Sequence, residues 1–231
     1  MFCDRCGTQV SPDQQFCSNC GQSFAGPSIP SGAVPPPAWT PPGPVQVNAT
    51  RWIGEGWDLV KADMGSYALA ALIFFVLSGV PFIQGALITG FHIFTMKKLT
   101  GRRTDFSDLF KGFNYFIPTL VAMLLIGAFT FLGTIFCIIP GLVVAAALKF
   151  TYLFIVDKRM DFWPAMQASH EVVKQDYFGF TMFLLLAVLV NLLGLLCCVV
   201  GLLVTVPLTI AAITVAYKEI VGFDQRTIDA L

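Results

Sequence analysis

Four cysteines near the amino end carry the clearest chemistry in this chain of 231 residues. Cys3 and Cys6 form one Cys-x-x-Cys pair and Cys17 and Cys20 a second, with ten residues between the pairs. Two such pairs supply four thiolates, the donor set of a tetrahedral zinc ion with no open coordination position, which makes the site structural rather than catalytic. Gly7 and Gly21 follow the second cysteine of each pair. Glycine there lets the chain turn tightly enough for backbone amides to face the sulfurs. The predicted cofactor is one structural Zn2+ held by Cys3, Cys6, Cys17 and Cys20. Disulfides or a redox pair are the alternatives. A cytosolic placement, argued below, weighs against stable disulfides, and the doubled spacing weighs against a single redox motif. A module of this size has too little core to fold alone, so metal binding must supply its stability.

A second residue of interest is Lys149, eight residues after Gly141 and nine before Lys158 in an otherwise apolar stretch. On a continuous helix it would lie about 12–14 Å from either end, beyond the roughly 6 Å that a lysine snorkels. Ser66–Met96, Asn114–Val156 and Tyr177–Tyr217 contain no Asp or Glu. Asn191, backbone carbonyls, water or an anionic ligand are left to solvate the ammonium. A charge inside a membrane is expensive and marks a functional site by default, so Lys149 and Asn191 are the expected intramembrane ligand site. A tilted helix or a locally thinned bilayer is the structural alternative. His92 reads as a packing residue near the cytosolic interface. His170-Glu171 is not part of a His-Glu-x-x-His motif. Asp105, Asp108, Asp157, Asp161, Glu171 and Asp176 read as helix caps and headgroup-level charges, so no catalytic residue is nominated and no enzyme is expected.

The elements that must position these residues follow from composition. The chain is 56% hydrophobic and 12% charged, against about 25% charged in an ordinary soluble domain. Its long charge-poor stretches exceed the ~20 residues that cross a bilayer. Residues 1–24 form the cysteine module. Residues 25–50, with eight prolines, form an extended disordered tether. Residues 51–231 form the membrane domain. Within it a short motif recurs before each apolar block, as Asp58-Leu-Val-Lys61, Asp108-Leu-Phe-Lys111 and Glu171-Val-Val-Lys174. Each block breaks midway, near Pro81, at Cys137–Gly141 and at Cys197–Gly201, and ends on Lys97, Lys158 or Lys218. The pattern predicts a threefold repeat over about 52–97, 104–158 and 161–218. The expected fold is an all-α polytopic membrane protein with about six transmembrane helices as three hairpins, interfacial amphipathic helices, and the small N-terminal zinc module. The first block is the shortest. It reads as a short hairpin, with one long tilted helix broken at Pro81 as the alternative. Met1–Gly21 lacks the apolar run of a signal peptide, which leaves targeting to the first hydrophobic helix. The basic residues cluster at one end of the blocks and the opposite turns are uncharged, so both termini are expected in the cytosol, at the cell's inner membrane.

Residues 1–24 resemble the short bacterial zinc-ribbon domain, whose repeated Phe-Cys-x-x-Cys-Gly is matched by Phe2–Gly7 and Phe16–Gly21. The membrane part resembles uncharacterised bacterial proteins related to the membrane domain of glycerophosphoryl diester phosphodiesterase. That resemblance rests on Phe106–Phe113, Ile139-Pro-Gly141, Ala168-Ser followed by Lys174, and the Pro207 and Ala216-Tyr217 regions. It implies an accessory membrane module; this chain has no hydrolase domain, so no catalytic residue carries over. Arg5 is the sole basic residue before Arg51, and phosphate neutralisation needs several, which argues against nucleic acid. The expected partners are the lipid bilayer, a protein docked by the ribbon, and an anionic lipid at Lys149. The expected function is a membrane scaffold or regulator, with a lipid- or small-anion-handling permease as the alternative.

Overall fold

The computed structural model describes residues 6–7, 19–20, 43–197 and 200–230. The chain divides into two compact units, Met1–Thr40 and Pro41–Leu231. In the first, Cys6, Gly7, Asn19 and Cys20 are described; Cys3, Cys17 and most of the predicted tether lie outside the described residues, as does Cys198.

The described part of the second unit is helical, without a strand. Its elements are α1 (Ala49–Ala62), α2 (Met64–Leu77), α3 (Gln84–Leu99), α4 (Phe116–Phe136), α5 (Ile138–Ala147), α6 (Thr151–Asp157), α7 (Phe162–Val173), α8 (Tyr177–Leu196), α9 (Leu202–Ile220) and α10 (Gln225–Ala230). A 3-10 segment, Phe106–Tyr115, leads into α4.

α1 is amphipathic. Trp52, Gly56 and Val60 recur every four residues and are buried, as one face of a helix requires. That face lies on α9, where a Cβ on Gly56 would come within 2.9 Å of the Ala212 amide nitrogen. Arg51 and the Trp52 indole both donate to Glu219 Oε2, at 2.6 and 2.7 Å. At Asp63 the chain bends by 98° into α2. Asp63 caps α2 by accepting from the Ser66 amide at 3.3 Å, and it pairs with Lys98 at the far end of α3. Tyr67 meets Phe94 edge-on at 5.4 Å and Phe74 meets Phe91 at 6.2 Å, so the start of α2 lies beside the end of α3.

α3 and α9 form the centre. From Gly85 to Lys97 almost every residue of α3 is buried, as is every residue of α9 from Pro207 to Tyr217. The 3-10 segment packs on α3 at very short range. An added Cβ on Gly90 would overlap the Leu109 carbonyl, and one on Gly112 would overlap the Ala86 carbonyl. Both obstacles are backbone and cannot swing aside. Gly90→Ala is therefore expected to lower the stability of the solubilised protein by about 1–3 kcal/mol or more, read as a lower unfolding temperature in detergent. Gly54→Ala, whose Cβ meets nothing within 4 Å, should leave that temperature unchanged; equal behaviour of the two variants would show that the contact is not this tight.

α4 and α8 lie at the periphery and turn apolar side chains outward. Ile117, Phe131, Ile135, Phe178, Leu193 and Leu196 are all exposed. An apolar surface this continuous exceeds what a soluble monomer carries, and bilayer hydrocarbon accommodates it. Among the described residues four helical stretches are long and apolar enough to cross a membrane: 106–136 (the 3-10 segment with α4), 138–157 (α5 with α6), 177–196 and 202–220, or five if the bent α1–α2 pair counts as one. The count of six from sequence included α2 and α3. Their 14 and 16 residues reach about 21 and 24 Å at 1.5 Å per residue, short of the ~30 Å hydrocarbon core.

Tight glycine contacts close the two apolar turns. Gly133 packs on Gly141 between α4 and α5, and Gly194 packs on Gly201 between α8 and α9. Pro118 and Pro140 stand in the first turns of α4 and α5, where a missing amide costs nothing, whereas Pro207 lies inside α9.

The acidic residues divide into two groups. Asp161 caps α7 by accepting from Phe162 N, and Asp176 caps α8 by accepting from Gly179 N. Asp108 and Asp157, expected at headgroup level, are each only 1% exposed. Asp108 accepts from Lys97 Nζ on both oxygens at 2.8 Å, from Lys111 at 2.9 Å and from the Asp105 amide at 2.9 Å. Asp157 accepts from the Tyr217 hydroxyl at 2.9 Å, the Asp224 amide at 2.8 Å and Lys158 at 3.0 Å. With Thr227 donating to the Asp157 carbonyl at 2.6 Å, the segment after α9 is tied to the end of α6.

Candidate functional site

In the cysteine module, Cys6 is followed by Gly7 at φ 70°. That left-handed conformation is the one a thiolate knuckle needs after its second ligand and one that glycine adopts without strain. Asn19 and Cys20 also lie in a turn. Cys6 and Cys20 each lie in a turn, and Zn2+ is the group that a set of four thiolates would hold.

In the membrane domain, Lys149 does not ride on a continuous helix. Leu148, Lys149 and Phe150 form a turn between α5 and α6. The backbone groups freed there are taken up by Ser169 of α7, which accepts from Phe150 N at 3.1 Å and donates to the Ala147 carbonyl at 2.7 Å. A helix break within an apolar span persists only when its backbone groups are satisfied by protein; Ser169 does this together with Thr151, whose hydroxyl donates to the Leu148 carbonyl at 2.8 Å. Nothing in Leu-Lys-Phe-Thr announces the break, since it contains neither glycine nor proline.

The break opens beside a cavity of about 700 Å³, within the usual range of small-molecule sites, about 300–1,000 Å³. Its wall is built by α2, α3, α4, α5, α6, α9 and the turn at Lys149. The polar side chains in it are His92, Thr130, Thr134, Lys149, Tyr152 and Thr209, and the rest is apolar. No Asp or Glu lines it. Among the described residues no hydrogen bond or ion pair engages the Lys149 ammonium. Thr130 Oγ1 is buried without a hydrogen-bond partner.

His92, expected near the interface, is 2% exposed and belongs to this wall. Its Nδ1 lies 2.8 Å from Thr214 Oγ1, and that hydroxyl donates its own proton to the Ile210 carbonyl at 2.8 Å. Nδ1 must then carry the proton in the pair. Nε2 is left without a protein partner among the described residues.

Asn191 stands behind the wall. Its Nδ2 donates to the Ala187 carbonyl at 2.9 Å and to Thr209 Oγ1 at 3.3 Å, while its Oδ1 is buried and unpartnered. Lys149 and Asn191 share no hydrogen bond among the described residues; Thr209 stands between Asn191 and the cavity. Thr89 of α3 is fully buried and donates to the Gly85 carbonyl. Sequence reasoning does not reach Ser169, Thr130 or the place of His92 in this wall. Only the Ala168-Ser pair had been singled out, and for another reason.

Comparison with known proteins adds one assignment. Residues 2–24 match the zinc-ribbon domain family. Such a domain binds zinc, in keeping with the Gly7 knuckle. Over 159 residues the chain is 28% identical to an uncharacterized protein of Mycobacterium bovis and to uncharacterized proteins of two Mycobacterium tuberculosis strains. The aligned part is 69% of this chain and 45% of each relative, so the chain spans about half the length of the curated relatives it matches. No solved structure matches. The resemblance of the membrane part to the phosphodiesterase membrane domain finds no support in these matches.

Proposed function

We propose that this chain is a non-enzymatic membrane scaffold or regulator that presents its zinc ribbon to a protein partner in the cytosol. The observation that carries the reading is the joining of a zinc-ribbon match at residues 2–24 to helices apolar enough to span a membrane. The ribbon binds one structural zinc through Cys3, Cys6, Cys17 and Cys20. The module is acidic, with Asp4 and Asp13 against Arg5, and a four-thiolate zinc centre adds two negative charges, which favours a protein over a nucleic acid. The membrane domain is read as three repeated hairpins in the inner membrane with both termini cytosolic. The lysines and arginines that flank the apolar blocks support that orientation.

The test is quantitative co-purification from membranes of the full chain, a variant lacking residues 1–24, and Cys6→Ser. A protein set bound by the full chain and lost from both variants is expected. An unchanged set in all three, or solute flux by the purified protein in liposomes, would sink the scaffold reading. The cavity at Lys149 favours a second reading, in which the membrane domain handles lipids or small anions. Under it, Lys149→Leu should abolish that flux.

A further inference from the structure

The Lys149 cavity joins three features that point to one ligand chemistry. The first is a cation without a counter-charge: Lys149 lines the space, no acidic side chain does, and an ammonium in an apolar span is costly until something neutralises it. The second is a hydrogen-bond donor that the protein leaves unused, the buried Thr130 hydroxyl.

The third is the mouth. Gly127, Phe131 and Thr134 of α4 line the cavity and are themselves exposed. They share α4 with Leu124, Leu132 and Ile135, which are among the most exposed apolar side chains of the molecule. The opening therefore lies along a face suited to hydrocarbon, and a ligand entering there needs an apolar body. A bare inorganic ion would leave most of the about 700 Å³ unfilled and its apolar wall without contacts.

We propose that this cavity binds an anionic amphiphile, its carboxylate or phosphate headgroup paired with Lys149 and its acyl chain lying against the apolar wall of α4. This is a claim about binding. It goes beyond the scaffold reading and gives the second reading its substrate class; binding without flux would leave it standing while removing the permease.

The test is native mass spectrometry of the full chain in detergent, offered oleate, dioleoyl phosphatidylglycerol, dioleoyl phosphatidylcholine or inorganic phosphate. Wild type is expected to retain oleate or phosphatidylglycerol at least about tenfold over phosphatidylcholine, as one charge-assisted contact provides. Which of the two is held decides between a free fatty acid and a phospholipid. Lys149→Leu should lose the preference and Lys149→Arg should keep it. Gly127→Leu guards against misfolding of the lysine variant: a Cβ there meets nothing within 4 Å, so the fold should survive while the mouth narrows and retention of the anionic ligand falls. The proposal is overturned if wild type shows no preference for the anionic lipid, if the preference survives in Lys149→Leu, or if inorganic phosphate alone displaces the bound lipid.

Discussion

Cys6→Ser is expected to abolish stable zinc binding by residues 1–24 and with it the protease resistance of that segment. The effect is large because the metal supplies nearly all of the folding free energy of so small a module. Apparent binding free energies for structural zinc in short peptides run to about 10–16 kcal/mol, and 24 residues bury too little apolar surface to replace them. Losing one thiolate of a closed set also leaves a coordination position open to water. The measurement is the zinc mass in native spectra of the full chain, paired with limited proteolysis. Cys137→Ser is the control, since Cys137 is an exposed free thiol between α4 and α5. Zinc retained at wild-type level in Cys6→Ser would show that the ligand set is misassigned. The unfolding temperature of the membrane domain should be unchanged by chelation, because its core is built within Pro41–Leu231.

Asp108→Asn should cost the membrane domain about 3–5 kcal/mol, the range for removing one partner of a buried ion pair. Asp108 is 1% exposed, and its side chain is engaged by two lysines and one backbone amide. Lys97, with 9% side-chain exposure, would be left buried without a counter-charge. Lys111, whose side chain is 41% exposed, can turn to water and contributes little. The double variant Asp108→Leu with Lys97→Met should recover part of the loss, since it removes both buried charges. Unfolding monitored by helical signal in detergent reads both. A loss below about 1 kcal/mol for Asp108→Asn would place this pair with exposed salt bridges and contradict the burial of the 3-10 segment against α3.

Much of the architecture was legible because it depends on local composition. The charge-free blocks around α4, α8 and α9 are long and apolar, and they are helices of spanning length. Asp161 and Asp176 were readable as caps because an Asn, Asp, Ser or Thr before an apolar run has a free backbone amide to accept from. The cysteine spacing announced zinc because a tetrahedral thiolate site leaves few other arrangements of ligands along a chain.

Other features are invisible to local pattern. The Asp108-Leu-Phe-Lys111 motif is readable in the sequence as the lead-in to an apolar block. It does not reveal that this lead-in is a 3-10 segment with Asp108, Leu109 and Gly112 buried on α3, where Gly90 and Gly112, 22 positions apart, let two backbones touch. Lys149 was identifiable from sequence as a charge in the wrong place. Its setting was not, because the break that carries it is held by Ser169, twenty residues further on.

Composition and spacing alone thus determined that this chain belongs in a bilayer and that its amino end is built to hold zinc, since both follow from side-chain chemistry counted along the chain. Tertiary structure decided which charges are buried and paired, where an apolar span is interrupted, and that His92, Thr130 and Lys149 share one cavity. Those outcomes depend on which distant segments meet, and on whether a backbone group or a charge finds its partner there.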